Sequence, residues 1–164
     1  MKILPGYCKE MAHYNAWQNR QLRDSFQSLS EAELRRDRAA FFGSIFKTAN
    51  HLLWGDEMWF SRFTNSEPPQ VTIDESPDRF DTIGEYLIER FRLDSRISLW
   101  AEGLKAVDLQ GELTWYSAVK KSHLSMPLQD CIVHFFNHQT HHRGQIHAML
   151  TAAGASAPVS DILF

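Results

Sequence analysis

Between Asn137 and His147, in the stretch NHQTHHRGQIH, stand four of the eight histidines in the chain. Imidazoles gathered this densely do one of three things. They crowd a wet helix face by chance, they form a surface that charges near neutral pH, or they hold a metal ion. Spacing begins to separate these cases. On a helix each residue advances by about 100°, so positions four apart differ by only about 40° in direction. His134, His138 and His142 follow that spacing and form one slanting stripe. His141 is offset from His138 by about 60° the other way, and His147 points elsewhere. Imidazoles at i and i+4 both reach one ion, as in other HxxxH helices. One helix rarely encloses an ion, so a further ligand has to come from another segment. His51 is the candidate, because it interrupts the apolar run TANHLLWGDEMW. A lone histidine there needs a buried partner or a job.

Three neutral imidazoles leave an ion with open positions, the arrangement of catalytic rather than structural sites. Such a site activates water or a thiol, or polarises a carbonyl. Asp56 and Glu57, close to His51 in sequence, are further ligand candidates, and either would close the shell. Asn137 and Gln145 are placed to orient ligands. Arg143 either clamps an anionic substrate or makes a salt bridge on the helix surface. Trp54 and Trp59 line a pocket or simply pack. Cys131, seven before His138, lies within about 20° of its direction. It is read as a buried, inert thiol, with a nucleophile beside the metal as the rival. His13 and His123 are read as exposed or loop-bonded, and His141 and His147 as supporting or surface groups.

Four long segments with helical periodicity must position these residues. The first runs from about Pro5 to Leu29, with Met11, Tyr14, Trp17, Leu22 and Phe26 on one side. Ser30 and Glu33 match a capping box that opens a short helix. Phe41, Phe42, Ile45, Phe46, Ala49, Leu52, Leu53 and Trp59 then mark an apolar second segment, ending before Glu67-Pro68-Pro69. A third starts near Pro77 or Asp78, carries Ile83, Leu87, Phe91, Ile97 and Leu104, and closes near Gly103. LTWYSAV, KKSH and LSMPL, between Val107 and Met126, read as a small hairpin or extended loop. Pro127 opens the fourth segment, which carries the histidines and ends at Gly154. The tail VSDILF is apolar enough to pack back. The expectation is an all-α fold, a four-helix bundle around an aromatic core, in one domain spanning residues 1–164.

Bulk properties narrow the function. A net charge of -3, with no Lys/Arg run, argues against nucleic-acid or membrane-surface binding. Two cysteines without a CxxC pair, no apolar span and no leader-like start point to a cytoplasmic protein.

NHLLWGDEMW in the second segment and NHQTHHRGQ in the fourth together resemble the DinB-like (DNA-damage-inducible) family. YNAWQNRQL, AFFGSIF and the closing SDILF extend the resemblance over nearly the whole chain. It implies an up-down-down-up four-helix bundle, often dimeric, and a divalent metal on three histidines. Carried over by motif, those are His51, His138 and His142, with His134 a variable neighbour. Zinc, nickel or iron suits such a donor set, and copper also fits. Relatives include bacillithiol transferases and a mycothiol-dependent maleylpyruvate isomerase, in which the metal presents a thiolate to an electrophile. A small-molecule thiol or electrophile is therefore the expected partner, and a homodimer the expected assembly. Two functions stand at this point. One is a metal-dependent thiol transferase or hydrolase. The other is a non-catalytic bundle in which the ion only ties helices together.

Overall fold

The computed structural model describes residues 3–163. It is mostly helical: α1 (Pro5–Gln27), a short α2 (Glu31–Arg35), α3 (Ile45–Thr64), α4 (Ile83–Gly103) and α5 (Leu128–Ala152). The strands β1 (Glu112–Ser117) and β2 (Ser122–Pro127) pair antiparallel just before α5. Helix α1 packs along α4, and α3 along α5, while the hairpin leans on α3 and α5.

Local chemistry explains where the elements start and stop. Pro5 occupies the first turn of α1, where its missing N–H costs nothing. Ser44 caps α3 by accepting from the Lys47 N–H at 3.1 Å. Asn65, in the left-handed conformation at φ 51°, ends it. Gly154, at φ 74°, follows α5 where a side chain would strain the turn.

Two expected boundaries move. Phe41 and Phe42 precede α3 rather than opening it. Gly43, at φ 82°, turns the backbone there, and Ser44 takes the capping position. Helix α4 begins at Ile83, not near Pro77 or Asp78. Thr82 and Glu85 form a reciprocal capping box, and Ser76–Asp78 makes only a 3-10 turn. Phe91, expected on the packed side of this helix, is 70% exposed. No helix among the described residues is long and apolar enough to cross a membrane.

The core is aromatic, with Phe26, Phe46, Tyr86, Phe135 and Phe136 all fully enclosed. A buried charged layer crosses it. Arg90 of α4 donates to Asp56 of α3 at 2.6 Å and pairs with Asp94 one turn along at 2.7 Å. Asn19 of α1 donates to both Asp94 oxygens at 3.0 Å. Burial works against the Arg90 charge, but Asp94 and Asp56 outweigh it and raise its pKa. The layer fixes α1, α3 and α4 in register with one another. At the opposite ends of the chain, Gln21 exchanges two hydrogen bonds with Val159, and Tyr14 donates to the Ser160 carbonyl at 2.7 Å. The tail is thus tied to α1, although Leu163 at its end is 87% exposed.

Candidate metal centre

His51 of α3 and His138 and His142 of α5 meet where the two helices pack. One ring nitrogen from each lies within 4.8 Å of the others, an arrangement that can hold a metal ion. The closest pair is His138 Nε2 and His142 Nε2, 3.0 Å apart. Ring centroids of His51 and His142 are 4.9 Å apart, and those of His51 and His138 are 5.7 Å apart.

Hydrogen bonds fix two of the three tautomers. Ser76 Oγ donates its single proton to the Ile73 carbonyl at 2.7 Å, so it can only accept from His51 Nδ1, 2.8 Å away. His51 Nδ1 therefore carries the proton, and its Nε2 is bare. Gln145 Oε1 is an acceptor only, and it stands 2.8 Å from His142 Nδ1. That proton assignment leaves His142 Nε2 bare as well. His138 Nδ1 is buried without a partner. Its proton bridges the 3.0 Å gap to His142 when it sits on Nε2; a cation in that gap would require it on Nδ1. Orienting metal-ligating imidazoles through their remote nitrogen is the usual device for making them good ligands.

The electrostatics agree. Burial first, and the His142 charge second, bring the His51 pKa down to about 4. Burial, then His142 and His51, bring His138 down to about 3. His142 is also lowered, chiefly by burial. All three rings are neutral at pH 7, so a cation need displace no proton. At metal–nitrogen bonds near 2.0–2.1 Å, tetrahedral ligand nitrogens stand about 3.4 Å apart. The His138–His142 separation of 3.0 Å falls a little short of that value, and every pair lies within 4.8 Å.

The surroundings are aromatic. Phe42 stacks on His51 at 4.1 Å, and Trp54 also stacks on it at 5.8 Å while donating its indole N–H to the Val71 carbonyl. Gly55 lets α5 come close. A Cβ at that position would stand 2.6 Å from His138 Cε1, which no real contact tolerates.

The remaining candidates fall elsewhere. Asp56 is buried against Arg90, and Glu57 pairs with Arg79, so neither carboxylate reaches the imidazoles. His134 packs edge-on against Trp59 at 4.9 Å and stays outside the cluster, its ring 6.0 Å from that of His138. Gln145 orients a ligand as its position allowed, but Asn137 is exposed. Arg143 makes no salt bridge on the helix surface. It turns into the core, where it donates to Asn15 and lies over the Tyr14 ring. Burial pushes the Cys8 thiol up to about 11 and raises Cys131, as expected of inert thiols. His13 pairs with Glu102 on the surface, and His123 lies on the hairpin beside Tyr116.

Sequence reasoning missed Phe42, Ser76 and the role of Gly55. A glycine in the middle of an apolar helix asks for a packing reason, and Gly55 was visible in that sense. Phe42 was assigned to the wrong element. Ser76 gave no signal, since a serine beside a proline reads as an ordinary turn.

A mostly helical frame with three convergent imidazoles between two of its helices defines the class of protein. The chain belongs to the DinB family, whose model matches residues 4–164. It is similar to Protein DinB of Bacillus subtilis (strain 168), 25% identical over 176 residues, covering 98% of this chain and 95% of that protein. A DinB-like protein from Bacillus cereus ATCC 10987 shares the fold. It superposes with a TM-score of 0.65 at 17% identity, over 90% of this chain and 91% of that one.

Proposed function

We propose that this is a divalent-metal-dependent enzyme of the thiol-transferase or hydrolase type, with His51, His138 and His142 as ligands on an up-down-down-up four-helix bundle. One observation carries the reading. Bare imidazole nitrogens converge, and the nearby carboxylates Asp56 and Glu57 are both engaged elsewhere. Zinc, nickel or iron held there would supply a Lewis acid with open positions, able to lower the pKa of a thiol or water.

The chain itself does the positioning. Ser76 and Gln145 hold two rings in the productive tautomer, and Gly55 admits the third. Phe42 and Trp54 shield His51 from water and offer flat apolar surface to a substrate. Cys8 and Cys131 are buried with raised pKa values, so the reacting thiol is a small-molecule co-substrate rather than a side chain. Small molecules rather than nucleic acid are the partners this reading names, in keeping with the net charge of -3.

Elemental analysis of the purified protein beside His51→Ala tests the site. About one metal per chain in the parent and none in the variant is the expected result. The loaded protein is then mixed with a low-molecular-weight thiol and an alkylating or acyl electrophile, and loss of the electrophile is followed. Metal binding that only stabilises the fold, with no turnover, would favour the structural role. No metal in the parent after loading would overturn the proposal.

A further inference from the structure

The seam between α3 and α5 runs on beyond the three imidazoles. Gly55 abuts His138, and one turn farther along α3 Trp59 packs against His134. Arg62, seven residues after Gly55, lies within about 20° of its direction and about 10 Å along the helix. It faces the part of α5 one turn before His134, where its charge reaches the Cys131 thiol. Gly55, Trp59 and Arg62 are thus three rungs of one line that begins at the candidate metal centre.

Arg62 is the unusual member. Its guanidinium lies over the Trp59 ring, 4.6 Å from the centroid, and over Trp115 of β1 at 5.2 Å. The side chain therefore leans back along α3 toward the imidazoles, the direction that helical side chains favour. Burial works against its charge, and among the described residues it makes no hydrogen bond or ion pair. Arg79 and Arg90, by contrast, each hold a carboxylate. Unlike Arg143, whose Nη2 is enclosed, half-buried Arg62 keeps every nitrogen at the surface.

Stacking takes up the faces of a guanidinium and leaves its N–H edge free. That edge matches a carboxylate in two parallel bonds, and beside two indoles such a pair is stronger than in open water. Solvent meets the imidazoles on the same side. His51 and His142 are enclosed, whereas His138 is partly open and His134, on the next rung, is exposed. A ligand lying along this line spans His138 and Arg62.

We propose that Arg62 determines substrate specificity by holding a carboxylate of the thiol co-substrate, on the shelf formed by Trp59 and Trp115. The assignment rests on the three histidines forming a thiol-binding metal centre. The guanidinium sits over Trp59, one turn or about 6 Å beyond the Gly55–His138 contact, so sulfur and carboxylate belong about a dipeptide's length apart.

Isothermal titration of the zinc-loaded protein with N-acetylcysteinylglycine and its C-terminal amide tests this, because the two thiols differ only in the carboxylate. The acid should bind at least tenfold tighter than the amide. Arg62→Gln should remove that preference, weakening the acid at least tenfold and leaving the amide and the zinc content unchanged. The acid-to-amide ratio is read within each protein, so a loss of stability from freeing the hairpin does not move it. Equal binding of acid and amide by the parent, or a preference that survives in Arg62→Gln, would overturn the proposal. The S-methyl thioether of the acid separates this failure from that of the metal centre. It should bind at least tenfold more weakly than the thiol. A thioether bound as tightly as the thiol would contradict thiol ligation at the histidines, and the proposal would fall with it. A preference for thiol over thioether without one for acid over amide would spare the centre and overturn the role of Arg62 alone.

Discussion

Neighbouring residues in α3 and α5 serve two regions of opposite character. Asp56 faces the core, while the adjacent Gly55 faces the imidazoles; Arg143 turns inward, while the adjacent His142 turns to the cluster. In the charged layer, Asp56, Arg90, Asp94 and Asn19 meet one another, positive beside negative at 2.6–3.0 Å. In the cluster, the bare Nε2 atoms of His51 and His142 meet the His138 ring, and no carboxylate stands beside them. The first region is electrically closed and holds helices together. The second is open and could hold a cation. Burial alone therefore does not tell a structural polar group from a functional one. What does is whether the fold supplies the counter-charge.

Several substitutions break or sharpen that contrast. The largest effect belongs to the open region: His138→Ala or His142→Ala should abolish metal binding, measured as metal per chain, while His141→Ala and His147→Ala retain it. Full stoichiometry in His142→Ala would remove that residue from the ligand set. Next comes the closed region. Arg90→Ala leaves the Asp56 and Asp94 carboxylates buried without their cation, and should cost about 3–5 kcal/mol in a urea melt. A loss under about 1 kcal/mol would show that the layer is not what fixes the helices.

Smaller effects follow at the supports. Ser76→Ala and Gln145→Ala free the tautomers of His51 and His142, and each should weaken metal affinity about 10–100-fold in a competition titration with a chelator. Gly55→Ala puts a Cβ into the His138 ring and should weaken metal about tenfold, although alanine favours the helix itself. Unchanged affinity would mean that α3 and α5 separate without cost.

Acid probes the same rings without a substitution. In the unfolded chain the imidazoles take up protons near 6.5, but in the folded one His51 waits until about 4 and His138 until about 3. The unfolded state thus binds more protons below pH 6.5. The contribution of these rings to stability is full above that pH and is lost as pH falls toward 4 and 3. Asp56 works in the opposite sense, because burial lifts it to about 6. Ring-proton NMR of the metal-free protein reads the imidazoles individually, and a His138 midpoint near 6.5 would contradict the buried geometry.

Much of this was legible in the sequence, for identifiable reasons. The i, i+4 spacing put His138 and His142 on one face, and an apolar context marked His51 as exceptional. Pairing His51 with those two rather than with His134 came from the motif resemblance. The structure brings these three rings together and leaves His134 against Trp59. The hairpin ahead of α5 was one of two readings of LTWYSAV, KKSH and LSMPL, the other being an extended loop. What failed depended on competition between local signals. Pro77 looked like a helix start until the Thr82–Glu85 box outbid it, and Phe42 read as helical because nothing weighed Gly43 against it. A surface salt bridge was one of two readings of Arg143, and it failed because a sequence shows an arginine's charge but not the direction in which its helix face turns.

The central claim is that the three-histidine centre keeps a position open for substrate. X-ray absorption spectroscopy of the zinc-loaded protein, with and without an added low-molecular-weight thiol, tests it most directly. The account predicts three imidazole nitrogens near 2.0–2.1 Å with light-atom ligands completing the shell, and a new sulfur at about 2.3 Å once the thiol is present. A shell already closed by a fourth protein ligand, and unchanged by the thiol, would contradict it.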